Sequence, residues 1–390
     1  MKRTVVCCLA VCLLFSGCAS LFDGNYISTM PHEEQNGLHG SMNTQVDKYD
    51  ELLEALITLA ERGSRSGIIY VSNYDQEQIG TDMEKAVKTA IVRSPIAAYA
   101  VEEITWDLGM NRGQRAVAVT ITYYHERPEI LKIRKVSNMD EAAQLLYKEL
   151  DNNSAGTVMH VDYYANVDFV QLVEKYAFEN PQSVMETPQV SVNVYPQTGI
   201  SRVIELKFTY QNSRDDLRLF KNQVTTFYAS SKYLVNKESP DQEKFSQLYS
   251  HLMDRRFGEY TIETSITPAY SLLWHGAGDS KAFATLYAAI CRLSELECQV
   301  ITGTRQGEPW YWNLVKINGG YYHMDLLRSH EEGNLRLMLD NEMTGYVWNY
   351  SAHPETPEEM DPEIQETVPE ETEPMETEPM ETQPTETQPK

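Results

Sequence analysis

From Asp47 to Arg62 the apolar positions return at helical spacing, with Leu52, Leu53, Leu56 and Leu59 on one side, so the segment predicts an amphipathic helix. A short apolar run, Gly67 to Ser72, predicts a strand. Thr81 to Val92 reads as a second helix, with Asp82 and Glu84 in a first turn that favours acids and Pro95 beyond its end. Ala97 to Thr105 and Arg115 to Tyr123 alternate as strands do. The same order then returns: helix Glu141 to Leu150, strand Thr157 to Tyr163, helix Asp168 to Phe178 stopping before Pro181, and strands Gln189 to Tyr195 and Arg202 to Tyr210. Thr122-Tyr123 recurs as Thr209-Tyr210, and Ile69-Tyr70-Val71 as Met159-His160-Val161, displaced by 87 and 90 positions. A period that long is not a solenoid unit. It predicts two copies of a small αβαββ module, residues 46–130 and 138–215.

After Pro240 the pattern changes. Asp241 to Arg256 is amphipathic, with Phe245, Leu248, Tyr249 and Leu252 on one side. A glycine-bearing loop, Trp274-His275-Gly276-Ala277-Gly278-Asp279-Ser280, then leads into a helix running to about Leu296. Nearly every residue from Ala282 to Ile290 is apolar, which predicts burial on all sides. Three strands follow: Gln299 to Gly303, Trp310 to Val315, and Gly320 to Asp325. The fold class is α+β.

The 390 residues, 42% of them apolar, suffice for two or three cores, but both ends read differently. Met1-Lys2-Arg3 and an apolar run to Phe15 read as a signal peptide, residues 1–17, too short to span a membrane as a mature helix. Leu14-Phe15-Ser16-Gly17-Cys18 resembles a bacterial lipobox, with Phe15 where leucine is commoner. That resemblance implies lipidation of Cys18 and a membrane anchor on the extracytoplasmic face, joined to the fold by a tether over 18–45. From Glu355 to Lys390 the chain repeats Glu, Thr, Pro and Met. It holds thirteen acids against one lysine there, about half of the whole net charge of −24, and predicts a disordered spacer. The acidic remainder argues against a nucleic-acid partner. Cys7, Cys8 and Cys12 leave with the signal, so the folded part keeps only Cys291 and Cys298, able to pair or to stay buried thiols. His125 and His160 stand at no ligand spacing. Neither a metal nor a cofactor is implied.

The order loop, buried helix and three strands resembles the bacterial transglutaminase-like domain of the papain-like cysteine hydrolase group, over 241–354 within a domain of 216–354. Glu342-Met343-Thr344-Gly345-Tyr346 is similar to that family's closing segment. The family carries Gly-x-Cys at a helix start, His-x-Trp-Asn on a strand, and an aspartate on the next. The helix terminus acidifies the thiol, the histidine takes its proton, and the aspartate orients the histidine. Here those positions read Gly278-Asp279-Ser280, Trp310-Tyr311-Trp312-Asn313 and Asp325. Serine is a far weaker acid than a thiol, and an indole only donates. The resemblance therefore implies a degenerate site, Ser280, Trp310 and Asp325, in a domain that binds rather than reacts. Tyr311, Trp312, Asn313 and Tyr322 are then expected to line an aromatic groove for a peptide, peptidoglycan or a protein. Two alternatives stay open. Ser280 could act as a hydrolase or acyltransferase nucleophile if His275 or His323 served it, or the chain could be a structural envelope protein. Asp279-Ser280 also reads simply as a helix cap.

Overall fold

The computed structural model describes residues 43–254 and 265–364. The expected signal peptide, the lipidated Cys18, the tether up to residue 42 and the tail from residue 365 lie outside the described residues. Among the described residues no helix is long and apolar enough to cross a membrane. The chain divides into two compact units: the residues up to Ala90 with Val101–Tyr124, and Ile91–Ala100 with everything from His125 onward.

The first unit runs β1 (Asn43–Gln45), α1 (Tyr49–Glu61), β2 (Ser66–Tyr70) and α2 (Ile79–Arg93). The chain then passes through α3 (Pro95–Ala100), which belongs to the second unit, and returns as β3 (Val101–Asn111) and β4 (Gln114–Tyr123). The sheet order is β1-β2-β4-β3, with β1 parallel to β2 and the other pairs antiparallel. Leu52, Leu53, Leu56 and Leu59 of α1 are buried as their spacing predicts. The Tyr123 hydroxyl, at the end of β4, donates to carbonyls of the last turn of α1 and the residues after it, Ser64 O at 3.0 Å. Glu51 reaches back to accept the Asp47 N–H, satisfying a donor just before α1.

In the second unit α4 (Arg127–Ile130), β5 (Arg134–Asn138), α5 (Met139–Asp151), β6 (Gly156–Tyr163), α6 (Phe169–Glu179), β7 (Gln189–Tyr195) and β8 (Arg202–Thr209) come first. Their sheet order is β5-β6-β8-β7, again with one parallel pair at the edge. α1 and α5 are both 13 residues long, and Glu141 accepts the Ser137 N–H as Glu51 accepts that of Asp47. Ser66 pairs with Thr120 in one sheet and Gly156 with Lys207 in the other, the displacements of 90 and 87 seen in the sequence. Each sheet thus holds one strand more than the αβαββ pattern expects. β1 and β5 are short and polar, and Val136 alone is buried in β5, so no alternation marks them. Ala97–Ala100, expected as strand, is helix α3, because a proline is at home in a first turn. Tyr99 on α3 is buried with its ring stacked on His125 at 4.0 Å and edge-on to Tyr195 at 5.6 Å.

The remaining elements are α7 (Arg214–Ser231), α8 (Asp241–Met253), α9 (Pro268–His275), α10 (Ser280–Leu293), β9 (Cys298–Arg305), β10 (Glu308–Ile317), β11 (Gly320–Met324), α11 (Leu326–Glu332) and β12 (Tyr346–Trp348). The strands form an antiparallel sheet of order β11-β10-β9-β12. α10 is buried from Ala282 through Cys291, as its composition demands, in one core with α7, α8 and α9. A second, smaller core gathers Ile301, Trp312, Leu314, Met338, Tyr346 and Trp348. Trp312 lies over Gly303, where an added Cβ would stand 2.8 Å from the indole and 2.2 Å from Val347 O. The fold also runs past Glu355, the expected start of the tail. Met360 and Ile364 pack on the larger core, and Asp361 accepts from Asn318 Nδ2 at 3.2 Å. The acidic composition hides these two apolar anchors. Gly303→Ala is expected to destabilise this unit by about 1–3 kcal/mol, read as a fall in the urea midpoint, because neither the backbone carbonyl nor a packed indole can withdraw.

Candidate functional site

Three elements carry the residues that the sequence singles out. Gly276, left-handed at φ 73°, ends α9 and turns the chain toward α10. Asp279 is the N-cap of α10: its carboxylate accepts the Ala282 N–H at 2.9 Å. Ser280 is therefore not the cap but the first helical residue. Its side chain is buried, and its Oγ accepts the backbone N–H of Tyr311 on β10 at 3.2 Å. That contact brings the α10 terminus onto β10 one residue from Trp310.

Trp310 donates its indole N–H to Asp325 Oδ2 at 2.7 Å. Asp325 is 1% exposed and follows β11 directly, as the N-cap of α11. It takes two further donors, the Tyr346 hydroxyl on Oδ2 at 2.7 Å and the Arg328 N–H on Oδ1 at 3.2 Å. Burial and Asp325 together push the Tyr346 hydroxyl well above its ordinary range, so it remains a donor. Arg305 sits over the Trp310 ring at 5.0 Å and pairs with Glu331 at 3.1 Å. The carboxylate that would orient a histidine is here held by an indole, a phenol and an amide. Ser280, Trp310 and Asp325 are brought together through β10. Among the described residues the side-chain partner of Ser280 Oγ is the Tyr311 N–H, which cannot accept its proton.

Neither histidine offered as a substitute base reaches Ser280. His275 is exposed at the end of α9. His323 is 1% exposed and closed on both ring nitrogens. Trp312 donates to its Nδ1 at 2.9 Å, so the proton resides on Nε2, which donates to Asp340 Oδ1 at 2.7 Å. Burial lowers the His323 pKa, with Asp340 opposing, and the neutral ring is the form that can accept from the indole. Among the described residues no histidine is bonded to Ser280, and no group of three or more metal-ligating side chains occurs.

The expected groove needs correction. Trp312, Asn313 and Tyr322 are 0%, 0% and 2% exposed and are core residues. Asn313 faces inward, its amide donating to Ala284 O at 2.9 Å, because alternation along β10 sends it toward α10. Only Tyr311 of the four is partly open. It meets Phe178, the penultimate residue of α6, at 6.1 Å between rings, and the Lys281 ammonium lies 5.5 Å from one ring and 5.6 Å from the other. Phe178 divides a crevice between α6 and α10. One side is a cavity of about 350 Å³ bordered by Glu174, Pro181, Thr267 and Lys281; the other, of about 610 Å³, is bordered by Lys175, Arg292, Cys298 and His353. Sequence could not reveal Phe178, whose spacing is that of any amphipathic helix. A larger cavity of about 620 Å³, edged by Lys232, Lys237, Lys244 and Lys316, lies away from Ser280 and holds Asp241, Glu295 and Glu297 beside those lysines.

Residues 228–326 match the model of the transglutaminase-like superfamily, a span that includes Ser280, Trp310 and Asp325, and the chain carries a transglutaminase-like domain. Similar solved structures include a TGase at 10% identity and TM-score 0.24, with 55% of this chain and 62% of that one covered. A candidate protease from Parabacteroides distasonis is similar at 8% identity and TM-score 0.23, over 66% of this chain and 39% of its own. A candidate cysteine protease from Cytophaga hutchinsonii is similar at 12% identity and TM-score 0.24, over 41% and 70%. No curated protein matches.

Burial lowers the pKa of His323 and also of His353. At these two sites the unfolded chain binds more protons than the folded one, so their contribution to stability is complete above the ordinary histidine value near 6.5 and is lost as pH falls below it. Urea midpoints measured between pH 7.5 and 5.5 should decline, and His323→Gln, which keeps an acceptor and a donor, should flatten that decline.

Proposed function

We propose that this chain is a lipid-anchored extracytoplasmic recognition protein whose transglutaminase-like domain binds an extended peptide without turning it over. The observation that carries the reading is the saturation of Asp325 by Trp310, Tyr346 and Arg328, with Ser280 Oγ meeting, among the described residues, only an amide N–H. A serine hydroxyl with no base nearby is not a useful nucleophile, and a tryptophan cannot become one. What the domain keeps is a crevice. Phe178 borders both cavities, each in the size range of ligand pockets, Lys281 borders the smaller one, and Tyr311 packs beside them against Phe178 and Lys281. A peptide passing over Phe178 would place apolar side chains against the rings and a carboxylate against Lys281. Cell-wall stem peptides and acidic protein segments share that chemistry.

The two small sheets read as copies of one βαβαββ module, supported by equal strand order, equal pairing sense and a shared register at constant displacement. They serve as scaffold, and α6 of the second supplies Phe178. The anchor at Cys18 would hold the whole at the membrane surface.

The test combines turnover and binding on the intact protein. Amine-incorporation and peptide-hydrolysis assays should give no turnover for wild type or for Ser280→Ala; turnover that Ser280→Ala abolishes would establish the hydrolase alternative. Retention of the protein on isolated peptidoglycan or an immobilised acidic-peptide array should weaken about tenfold or more with Phe178→Ala plus Lys281→Ala. Unchanged retention would remove the crevice as the binding site. Ser280→Cys with Trp310→His should react faster with iodoacetamide at neutral pH than Ser280→Cys alone, since Asp325 is already in place to orient the new ring.

A further inference from the structure

Cys291 and Cys298 stand at the two ends of a tight reversal. α10 ends at Leu293, Glu295 takes a left-handed φ of 62°, Leu296 N–H returns to Cys291 O at 2.9 Å, and β9 begins at Cys298. The reversal sets Cys291 inside the larger core and packs Cys298 against that same core, both as free thiols. Their environments differ. Cys291 is 0% exposed within the larger core. Cys298 is partly exposed and lines the cavity of about 610 Å³ together with Lys175, Arg292 and His353. One sulfur faces a space open to small molecules and edged by Lys175 and Arg292 with one carboxylate, Glu179. The other waits behind it.

We propose that Cys298 and Cys291 form a redox-active pair, Cys298 as the attacking thiol and Cys291 as the resolving one, taking small anionic disulfides as the oxidant. In the first step the Cys298 thiolate attacks one sulfur of the small disulfide, forming a mixed disulfide and releasing one thiolate. In the second, the Cys291 sulfur, having given its proton to that released thiolate or to water, attacks Cys298 Sγ and expels the second small thiolate. Two protein thiols become one disulfide, and the small disulfide is reduced to two thiols, so electrons and protons balance. The division of roles follows from access: Cys291 is sealed in the core while Cys298 lines the cavity, and burial raises the Cys291 pKa and keeps it a thiol until Cys298 carries an electrophilic sulfur. Lys175 and Arg292 outnumber the one carboxylate on this lining, Glu179, which pairs with Lys175, and the net positive charge favours an anionic disulfide such as oxidised glutathione. The product would tie the end of α10 to the start of β9 and stiffen the wall of the cavity they share. This inference does not depend on the peptide reading of the crevice.

The experiment treats the intact protein with oxidised glutathione under native conditions, blocks remaining thiols, and maps tryptic peptides by mass spectrometry. Cleavage after Lys281, Arg292 and Arg305 places the two cysteines on separate peptides, 282–292 and 293–305, so only a disulfide leaves them joined. The expected result is the joined pair, lighter by about 2 Da than the two reduced peptides and separated again by a reductant. Cys291→Ser should trap a stable glutathionyl group on Cys298, and Cys298→Ser should leave Cys291 unmodified. Wild-type protein that retains both thiols, or that accumulates a glutathionyl group on Cys298 without joining the peptides, would overturn the proposal. So would modification of Cys291 in Cys298→Ser, which would show that access does not set the roles.

Discussion

A carboxylate sealed from water governs the last domain. Asp325 is 1% exposed, and a buried charge costs several kcal/mol unless donors surround it. Its three donors come from β10, from the strand that closes the sheet, and from the first turn of α11. The acid therefore fixes where Trp310 points, holds β12 against the sheet through Tyr346, and starts the helix that follows. An indole N–H donates to Asp325 as an imidazole N–H could, but the indole has no acceptor to offer. Asp325 has a structural role of its own: removing it would leave three donors without their partner.

A neighbouring network obeys the same logic. Trp312, fully buried, needs a partner for its own N–H and finds His323, which in turn needs Asp340. The tryptophans at 310 and 312 lie on one side of β10 and each engages a polar group two residues apart on the following segment. One ends at a carboxylate, the other at a neutral ring. The second arrangement removes from circulation the histidine that sequence placed nearest to the site.

How much of this the sequence discloses differs with the kind of signal. The loop, the buried helix and the three strands are legible because Ala282 to Ile290 is apolar but for Thr285 and because Trp310-Tyr311-Trp312-Asn313 and Asp325 occupy ordered positions. The Ser280, Trp310 and Asp325 assembly is legible for the same reason. The groove is not: alternation distinguishes two faces of β10 but does not say that one face lies under α10 and the other under a second core, so sequence alone leaves Asn313 and Trp312 both available. Phe178 was invisible as a site residue because its role comes from packing across 133 positions of chain to Tyr311. The edge strands Asn43–Gln45 and Arg134–Asn138 went unseen because a short parallel edge needs little apolar surface.

Residues 91–100 belong by contact to the second unit although stretches of the first flank them on either side in the chain. Helix α3 packs on β7 and β8, and its Tyr99 stacks on His125 and meets Tyr195 edge-on. The protein is accordingly indivisible in the linear sense. A protease nick or a gene fragment beginning near His125 would excise the transglutaminase-like domain and its adjoining sheet only by leaving Tyr99 behind, and any split version would have to carry residues 91–100 with it, by circular permutation or by supplying them in trans.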